Sequence, residues 1–540
     1  MTIEPFTAEE RALLAPFVTD MDAPVFGLRN LPEVVKGALF SRYSRSEKSL
    51  RRMLLDEFIA QPESGFAAIV GGAASGTQQQ IVATQQAEAF YDRVLIGYGD
   101  DSVAELGGAH IACEGISNIA AKALEDARLG ISPLEKSTRY VLFSRKHDGR
   151  YRYVRERTIA ASPHTAAYEA ALDGLFDTYA ALLDPTLAAV RANTPRDAAT
   201  SERAYASATR AKAFDLLRGL LPMATMTNVG LFGNGRAFEY LLTRLYASPL
   251  AELRDLAEQL QIALDALIPS FVRRAKNERG AAMQRYLAES KAQTAALVAT
   301  IVPPSRAESG GQPSVALIES DAHAERKVVA AILYAHSQRP LADLRTAADA
   351  LDAAQRAALL AAYVGDRTVR FHKPGRALEE AVYTFDICAD IGAYRDLQRH
   401  RVLTQERQHF GVDLGRYTPP ELVAAGLADR YHAALDGAAA ACRAVAAGLP
   451  EQAQYLVPLA YHVRWRVTIN LRELYHFCEL RSAPQGHPTY RAVAQQMYAL
   501  VRAAHPALAE GMRFVDMGAR ALERLDAERR LDRKLGDGAP

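Results

Sequence analysis

The stretch RHRVLTQERQHFG, residues 399–411, places two arginines around a histidine and sets a second histidine, His409, eight residues after Arg401. Cationic side chains collect at helix C-termini, where the last carbonyl groups and the helix dipole favour positive charge. A solvated helix end is therefore one explanation of Arg399, His400 and Arg401. The other explanation is a binding site for an anionic ligand, and the surrounding sequence bears on the choice between the two.

A counterpart of this stretch, ARLGISPLEKSTRYV, lies at residues 127–141 of the first half. Each stretch follows a glutamate, Glu105 or Glu379. Downstream of each stretch lies a proline, and an N-x-R motif begins twelve residues after it. Two further arginines, ten residues apart, come after the N-x-R motif. The downstream residues are Pro222, Asn234, Arg236, Arg244 and Arg254 in the first half and Pro458, Asn470, Arg472, Arg481 and Arg491 in the second. Because several matches recur in the same order, we infer that the chain is a tandem duplication.

The halves are separated by VPPSRAESGGQPS, residues 302–314, which is rich in Pro, Gly and Ser. We therefore predict a first repeat over residues 1–300 with its core at about 30–265, a linker over 301–314, and a second repeat over 315–540 with its core at about 320–515. Apolar spacing predicts helices in 115–130 and 382–397, whereas SVALIES (314–320) and, more weakly, QQIVATQQ (79–86) predict strands.

Charge and cysteine content limit the class of protein. The 64 Lys and Arg residues balance 63 Asp and Glu residues, so the net charge of +1 gives no broad basic surface for nucleic acid or membrane. The four cysteines form no C-x-x-C pair, and no apolar run approaches the roughly eighteen residues of a membrane span. The acidic N-terminus is unlike a signal peptide. The sequence therefore predicts a soluble, cytoplasmic protein with reduced cysteines.

At these motifs the chain resembles the flavin-dependent thymidylate synthase family, whose signature RHRxxSxNExSxRY is followed by R-x-x-L-P and N-x-R. Each half is imperfect, and the imperfections are complementary. The second half keeps Arg-His-Arg but has His409 in place of the signature serine, Gly411-Val412 in place of Arg-Tyr, and Gln454 in place of the arginine of R-x-x-L-P. The first half keeps the serine, Arg-Tyr and R-x-x-L-P residues but has Ala127-Arg128-Leu129 in place of Arg-His-Arg.

The resemblance implies an α+β fold of two homologous helix-rich domains, each with a small sheet, that form a pseudo-dimer of the family fold. It also implies a homodimer that reproduces the family tetramer. The implied activity is conversion of dUMP to dTMP with methylenetetrahydrofolate and NADPH as co-substrates and FAD as cofactor. His400 and Arg401 are the implied catalytic residues, since a histidine beside a flavin can donate to its ring or stabilise charge during hydride transfer.

The resemblance also assigns binding residues. Arginine forks suit phosphate groups, and a serine hydroxyl adds a further hydrogen-bond donor. The residues implied for the cofactor are Ser102, Glu105, Glu379, Arg399, His400, Arg401, Asn470, Arg472 and His476. The residues implied for the nucleotide substrate are Glu135, Ser137, Arg139, Arg218, Arg244, His409 and Arg481.

Two alternatives stay open from the sequence. Split motifs are also what a repurposed or inactive flavin- or nucleotide-binding protein of the same fold would show. The pairs Glu406/His409 and Glu473/His476, with Glu479 and either Glu379 or Glu380, have the Glu-x-x-His spacing of di-metal carboxylate proteins. Because E-x-x-H is a short pattern, we predict no metal site and keep the di-metal protein as the second alternative.

Overall fold

The computed structural model describes residues 4–43, 46–60, 104–138, 141–302 and 313–537. Helices predominate in these ranges and surround two small sheets, with strand orders β1-β3-β2 and β4-β5-β7-β6. The strands are β1 Gly108–Ser117, β2 Ile131–Glu135, β3 Met226–Asn234, β4 Ser314–Ser320, β5 Val382–Asp390, β6 Leu403–Arg407 and β7 His462–Asn470. The predicted α+β class, with a small sheet in each half, is confirmed.

The order of strands and helices repeats along the chain. Strands β1, β2 and β3 correspond to β5, β6 and β7, and in both halves the third strand of the series lies between the other two. Each of β1, β3, β5 and β7 runs directly into a helix. Strand β4, predicted from SVALIES, is added beside β5 in the second sheet. This correspondence agrees with the duplication inferred from the motifs.

Among the described residues, the α-helices before the linker are α1 Ala8–Leu14, α2 Glu33–Tyr43, α3 Leu50–Met53, α4 Asn118–Glu125, α5 Arg157–Ala160, α6 Thr165–Asn193, α7 Glu202–Leu217, α8 Gly235–Tyr246, α9 Ala251–Asp265, α10 Pro269–Val272 and α11 Glu278–Ile301. Those after the linker are α12 Ala324–Ala335, α13 Leu341–Ala350, α14 Ala353–Val364, α15 Ile391–Leu397, α16 Pro420–Ala424, α17 Ala428–Ala446, α18 Pro450–Ala453, α19 Leu471–Arg481, α20 Pro488–Ala504, α21 Pro506–Ala509 and α22 Leu525–Asp537. A π-helix, Leu54–Ile59, follows α3.

The predicted helix over residues 382–397 is wrong in its first nine residues, which form β5. Its apolar residues recur every three positions, but the segment also alternates, and Tyr383, Phe385 and Ile387 are fully buried. Aromatic and β-branched side chains suit a strand, and these pack on the buried face of the sheet beside Trp465 and Val467 of β7. The helix prediction holds only from Ile391.

The described chain forms two compact units that are not contiguous in sequence. The first unit comprises residues 1–114, 123–135 and 228–303, and the second comprises 115–122, 136–227 and 304–540. The second unit therefore contains the second repeat together with a large piece of the first. The strand predicted at 79–86 and linker residues 303–312 lie outside the described residues. The boundaries of the two repeats stay a prediction.

Within the second unit, the R-x-x-L-P segment of the first repeat pairs with the corresponding segment of the second. Pro222 and Pro458 form an antiparallel bridge. Backbone hydrogen bonds join Met223 N to Val457 O, Leu459 N to Leu221 O and Ala460 N to Gly219 O at 2.9–3.0 Å. Long helix α6 of the first repeat packs against α17 of the second. The two repeats therefore share backbone hydrogen bonds as well as side-chain packing.

In the described part of the chain, none of the helices combines the length and the apolar character that crossing a lipid bilayer requires.

Candidate functional site

Both N-x-R motifs begin a helix at the end of a strand. The side chain of Asn470 accepts a hydrogen bond from Glu473 N at 2.9 Å and caps α19, and Asn234 caps α8 in the same way through Ala237 N. Asparagine is among the preferred N-cap residues because its side-chain oxygen satisfies an otherwise unpaired backbone N–H group. The cap fixes the residue at which α19 begins and therefore the positions of the side chains that follow.

The arginine of each N-x-R motif pairs with the glutamate upstream in its own repeat. Arg472 Nη1 lies 3.2 Å from Glu379 Oε1, and Arg236 Nη1 lies 2.6 Å from Glu105 Oε1. Arg376 also donates to Glu379, and this hydrogen bond lowers the pKa of the Glu379 carboxyl. Three residues predicted for the cofactor, Glu105, Glu379 and Arg472, thus lie in two ion pairs at equivalent positions, which agrees with the alignment of the motifs.

His400, the centre of Arg-His-Arg, lies against α19 with only 5% of its surface exposed. Its Nδ1 is 2.7 Å from Glu473 Oε1, and its Nε2 accepts a hydrogen bond from Arg481 Nε at 2.9 Å. The ring also packs on Phe477, with 4.5 Å between ring centroids, and on His476 at 5.4 Å. Two residues of α19 therefore fix the orientation of the imidazole.

These contacts also determine the protonation pattern of the ring. A guanidinium group only donates hydrogen bonds, so His400 Nε2 must present its lone pair to Arg481. The proton of a neutral imidazole then lies on Nδ1, which donates to Glu473. The arrangement holds His400 as the Nδ1–H tautomer.

The surroundings shift two neighbouring groups away from their charged forms. Burial raises the pKa of the Glu473 carboxyl, against the opposing effect of His476 and nearby cations. Burial lowers the pKa of His476 to about 4, so this ring is uncharged at neutral pH. Lys373 acts electrostatically on both groups. The site therefore combines an uncharged imidazole with several cationic side chains.

Arg218, of the first repeat, reaches the strand and helix that precede Arg-His-Arg in the second repeat. Its Nη1 donates to Asp396 Oδ2 at 3.4 Å, and its Nη2 lies 3.9 Å from Asp390 Oδ1. Asp390 caps α15 by accepting from Ala393 N at 2.9 Å. Asp396 is three residues before Arg399. An arginine predicted for the nucleotide thus lies next to the helix that leads to Arg-His-Arg.

The group around Arg218 is buried and incompletely hydrogen-bonded. Burial raises the pKa of Asp390. Within the described ranges, Arg218 Nη2, Asp390 Oδ2 and the Tyr431 hydroxyl have no hydrogen-bond partner. Such groups are costly to bury, because each has lost its contact with water. The cluster therefore offers both a donor and an acceptor to a polar ligand or to water.

The other predicted site residues are dispersed. Arg399 is half-buried, and Arg401 and Ser137 are exposed. Glu135, which is buried, and Arg244, which is exposed and lies over the Tyr240 ring, belong to the first compact unit. Ser102 and Arg139 lie outside the described residues.

His409, which replaces the signature serine, is exposed and lies 3.8 Å from Glu451. Gln454, which replaces the expected arginine, accepts from Phe410 N at 3.2 Å and donates to Glu451 O. In the second repeat, Gln454 therefore stabilises the loop that contains Phe410. The His409 side chain, by contrast, is exposed.

The di-metal arrangement is not assembled among the described residues. Glu479 forms a buried bidentate ion pair with Arg367. Glu406 lies at an exposed position of β6. Among the described residues, one group could hold a metal ion: the potential ligand atoms of His400, Glu473 and His476 lie within 4.8 Å of one another. Because His400 Nδ1 carries the proton and Nε2 faces Arg481, neither nitrogen offers a free lone pair to a cation there.

Three residues of the site were missed at the level of sequence. Glu473 was recognised only within Glu-x-x-His, although its place on the same helix face as His476 marks it as a neighbour. Apolar spacing places Asp390 inside a predicted helix, and its role as an N-cap follows only once β5 is recognised. Asp396 carried no local signal.

Comparison with known proteins agrees with the repeated pattern. A family model described as thymidylate synthase complementing protein matches twice, at residues 60–270 and 316–507. A UPF0159 protein of Chlamydia muridarum is 43% identical over 97% of this chain and 98% of its own length. The UPF0159 protein of Thermoplasma acidophilum is 31% identical over 93% of this chain and 99% of its own length.

More distant relatives match only part of the chain. The flavin-dependent thymidylate synthase of Sulfolobus acidocaldarius is 32% identical over 24% of this chain and 54% of its own length. Among solved structures, a UMP/dUMP methylase, PolB, from Streptomyces cacaoi with 5-Br dUMP has 20% sequence identity and a TM-score of 0.32, covering 37% of this chain and 94% of that one.

Proposed function

Since this chain belongs to the flavin-dependent thymidylate synthase family and carries the family's domain twice, we propose that it methylates dUMP to dTMP. In this reaction the methylene group comes from methylenetetrahydrofolate, and NADPH supplies the reducing equivalents. The proposal extends to a homodimer that reproduces the family tetramer. What supports the activity is the way in which the two incomplete repeats complement each other.

The observation that carries the proposal is the contact between Arg218 and Asp396. Arg218 belongs to the half that keeps the nucleotide motif, and Asp396 lies three residues before the Arg-His-Arg of the half that keeps the flavin motif. Both lie in the second compact unit. Retained parts of the two repeats are therefore neighbours, as a single composite site requires.

The chemistry of the residues around His400 fits FAD. The dinucleotide carries two phosphates, and Arg399, Arg401 and Arg472 provide guanidinium groups for them. FAD, when bound and reduced by NADPH, would supply the hydride that completes the methyl group. Both nitrogens of His400 are used by Glu473 and Arg481, so in this proposal His400 acts by positioning these two side chains. Uncharged His476 leaves the surroundings positive without adding a buried charge.

The nucleotide is assigned to the retained residues of the first repeat. Arg218 and Arg139 supply donors for a phosphate or a uracil oxygen, Ser137 adds a hydroxyl, and Glu135 accepts from a ring N–H. Arg481 and His409, which lie in the second compact unit with Arg218, are further proposed residues, and Arg244 of the first unit stays a separate prediction. Arg218 Nη1 is held by Asp396, and Nη2, which has no hydrogen-bond partner among the described residues, is the donor proposed for the nucleotide.

The decisive experiment begins with the absorbance spectrum of the purified protein after incubation with FAD. Release of tritium from [5-³H]dUMP is then measured with FAD, NADPH and methylenetetrahydrofolate present. We expect bound flavin and tritium release that depends on all three. Bound flavin without release would reject the synthase and leave a repurposed flavoprotein.

Variants test the division of the site. His400→Ala should weaken flavin binding, whereas Arg139→Ala should mainly weaken nucleotide binding. Arg443→Ala is the matched control, since Arg443 is an exposed arginine paired with exposed Asp413. Equal loss of both ligands in the two site variants, with the control unchanged, would contradict the proposed division.

A flavin- or nucleotide-binding protein with another activity is the second candidate, and the exposed His409 is the observation that favours it. A histidine where the family has a serine changes the chemistry offered to a substrate. If flavin binds and dUMP does not, other pyrimidine nucleotides should be tested for binding, with His409→Ser as the comparison. Metal analysis of the purified protein tests the di-metal alternative.

A further inference from the structure

Within the described part of the chain, helix α11, Glu278–Ile301, is hydrogen-bonded to its surroundings near its start. Asn277 caps it through Gly280 N, and Gln284 Nε2 donates to Ala275 O at 2.7 Å. Gly280 is needed here, because a Cβ atom would lie 2.1 Å from the Arg274 carbonyl oxygen. From residue 288 onward, every residue of the helix is exposed. A helical segment of this length without packing is marginal in water, so a partner that covers it would stabilise it.

One face of the exposed helix has the spacing of a coiled-coil seam. Its positions are separated alternately by four and three residues, the spacing at which side chains return to one line on a helix. Three of its large apolar side chains are exposed: Met283 by 42%, Leu297 by 61% and Ile301 by 66%. The seam residues are Met283, Leu287, Ser290, Thr294, Leu297 and Ile301.

The seam has the same pattern in both directions. Met283 and Ile301 lie nine residues on either side of position 292, and Leu287 and Leu297 lie five residues on either side. Ser290 and Thr294 lie two residues on either side. In an antiparallel pair of helices centred at 292, large apolar residues therefore meet large apolar residues, and hydroxyl residues meet hydroxyl residues.

We propose that α11 is a self-association surface and that its partner is α11 of a second copy of this chain, antiparallel about a two-fold axis at residue 292. Met283 of each copy packs on Ile301 of the other, and Leu287 on Leu297. At the centre, Ser290 of one copy and Thr294 of the other hydrogen-bond through their hydroxyl groups. A two-fold axis requires one patch to complement itself, and this seam does.

Charged residues of the helix are compatible with this pairing. Arg285 and Glu289 lie away from the seam on the outer surface of the helix. Lys291 flanks the seam near the axis, where its long stem can extend its ammonium group into water. Two Lys291 side chains on one edge repel each other, so we expect association to strengthen as salt screens them.

The seam is short. We expect its six positions per helix to bury less than the roughly 1,200 Å² typical of stable stand-alone interfaces. We therefore expect reversible association that depends on protein concentration. The inference does not depend on the proposed enzymatic function.

The test is sedimentation equilibrium of the full chain over a range of concentrations. Ser290→Glu with Thr294→Glu should weaken association at least about tenfold, because carboxylates would face each other across the seam. Both residues are exposed, so the charges do not disturb the core of a single copy. Ala288→Glu with Ala295→Glu is the matched control, since these positions lie off the seam, and it should associate like the parent chain.

Cysteine cross-linking tests the direction of pairing. All four native cysteines are buried, so we expect only the introduced cysteines to form disulfide cross-links. The double variant Ser290→Cys/Thr294→Cys should form covalent dimers under oxidation, whereas either single variant should not, because like positions do not meet in the antiparallel pair. Covalent dimers from the single variants would indicate parallel helices and overturn the proposal. A monomer at all concentrations, or a dimer insensitive to the seam charges, would also overturn it.

Discussion

Arg481 Nε donates to His400 Nε2 at 2.9 Å, which forces the imidazole proton onto the nitrogen that faces Glu473. The side chain of one residue on α19 thus decides which nitrogen of another residue can donate. Because the two residues are 81 positions apart in sequence, the pairing follows from the packing of α19 against the Arg-His-Arg segment.

We predict that replacing Arg481 by Leu releases this constraint. In the parent chain, ¹⁵N spectra of histidine-labelled protein should show His400 as a single Nδ1–H tautomer, identified by its loss in His400→Asn. In Arg481→Leu the signal should shift towards a mixture of tautomers. His432, whose Nε2 lies 2.9 Å from the Thr418 hydroxyl, serves as the internal control. An Nε2–H tautomer of His400 in the parent chain would contradict this assignment.

We predict that Arg218→Leu is strongly destabilising. Removing this arginine leaves Asp390 buried without a counter-charge, and breaking such a pair typically costs about 3 kcal/mol or more of unfolding free energy. Adding Asp390→Asn should recover part of the loss, since the amide oxygen can still cap α15 without a charge. Urea unfolding of the single and double variants measures both effects. A double variant no more stable than Arg218→Leu would argue against the charge as the cause.

We predict that Gly219→Ala and Tyr431→Phe have opposite effects. A Cβ atom at Gly219 would lie 2.0 Å from the Tyr431 hydroxyl oxygen, so Gly219→Ala should cost about 1–3 kcal/mol of unfolding free energy through overpacking. Tyr431→Phe removes a buried hydroxyl that has no hydrogen-bond partner among the described residues, so it should be neutral or stabilising. In the double variant, part of the Gly219→Ala loss should disappear. Strictly additive thermal or urea unfolding data would show that the two sites do not touch.

We predict a pH dependence that originates from His462. Burial lowers the pKa of this residue from 6.5 to about 4, so the unfolded chain takes up the proton at a higher pH than the folded chain. Its contribution to stability is therefore complete above pH 6.5 and lost as the pH falls towards 4, by on the order of 3 kcal/mol. The difference in unfolding free energy between the parent and His462→Gln should shrink over this interval.

Structural features that depend on a local or repeated sequence pattern could be predicted from the sequence. The spacing of Glu105, Arg236, Glu379 and Arg472 predicted the equivalence of the halves, and the structure pairs these residues in the same way in both. SVALIES has the bounds of β4. Residues 382–390 were mistaken for a helix because a strand with buried residues on consecutive positions near its end loses a clean two-residue period.

The long-range contacts that assemble the site could not be predicted from local sequence patterns. Arg218 and Asp396 are 178 residues apart, and nothing in the local pattern of either indicates the other. Their proximity depends on the pairing of Gly219–Ala224 with Tyr455–Ala460. Periodicity reports which face of an element is buried, not which distant element covers it.

That pairing joins the repeats by backbone hydrogen bonds inside one covalent chain, and it has an evolutionary consequence. In an assembly of identical subunits, every substitution appears at all equivalent positions, so a damaging change disables every site together. In the fused chain, a change at residue 127 or 409 occurs once per molecule and leaves its counterpart intact. Each copy is thereby free to lose what the other supplies, and the division of motifs between the halves is the outcome that such a fusion permits.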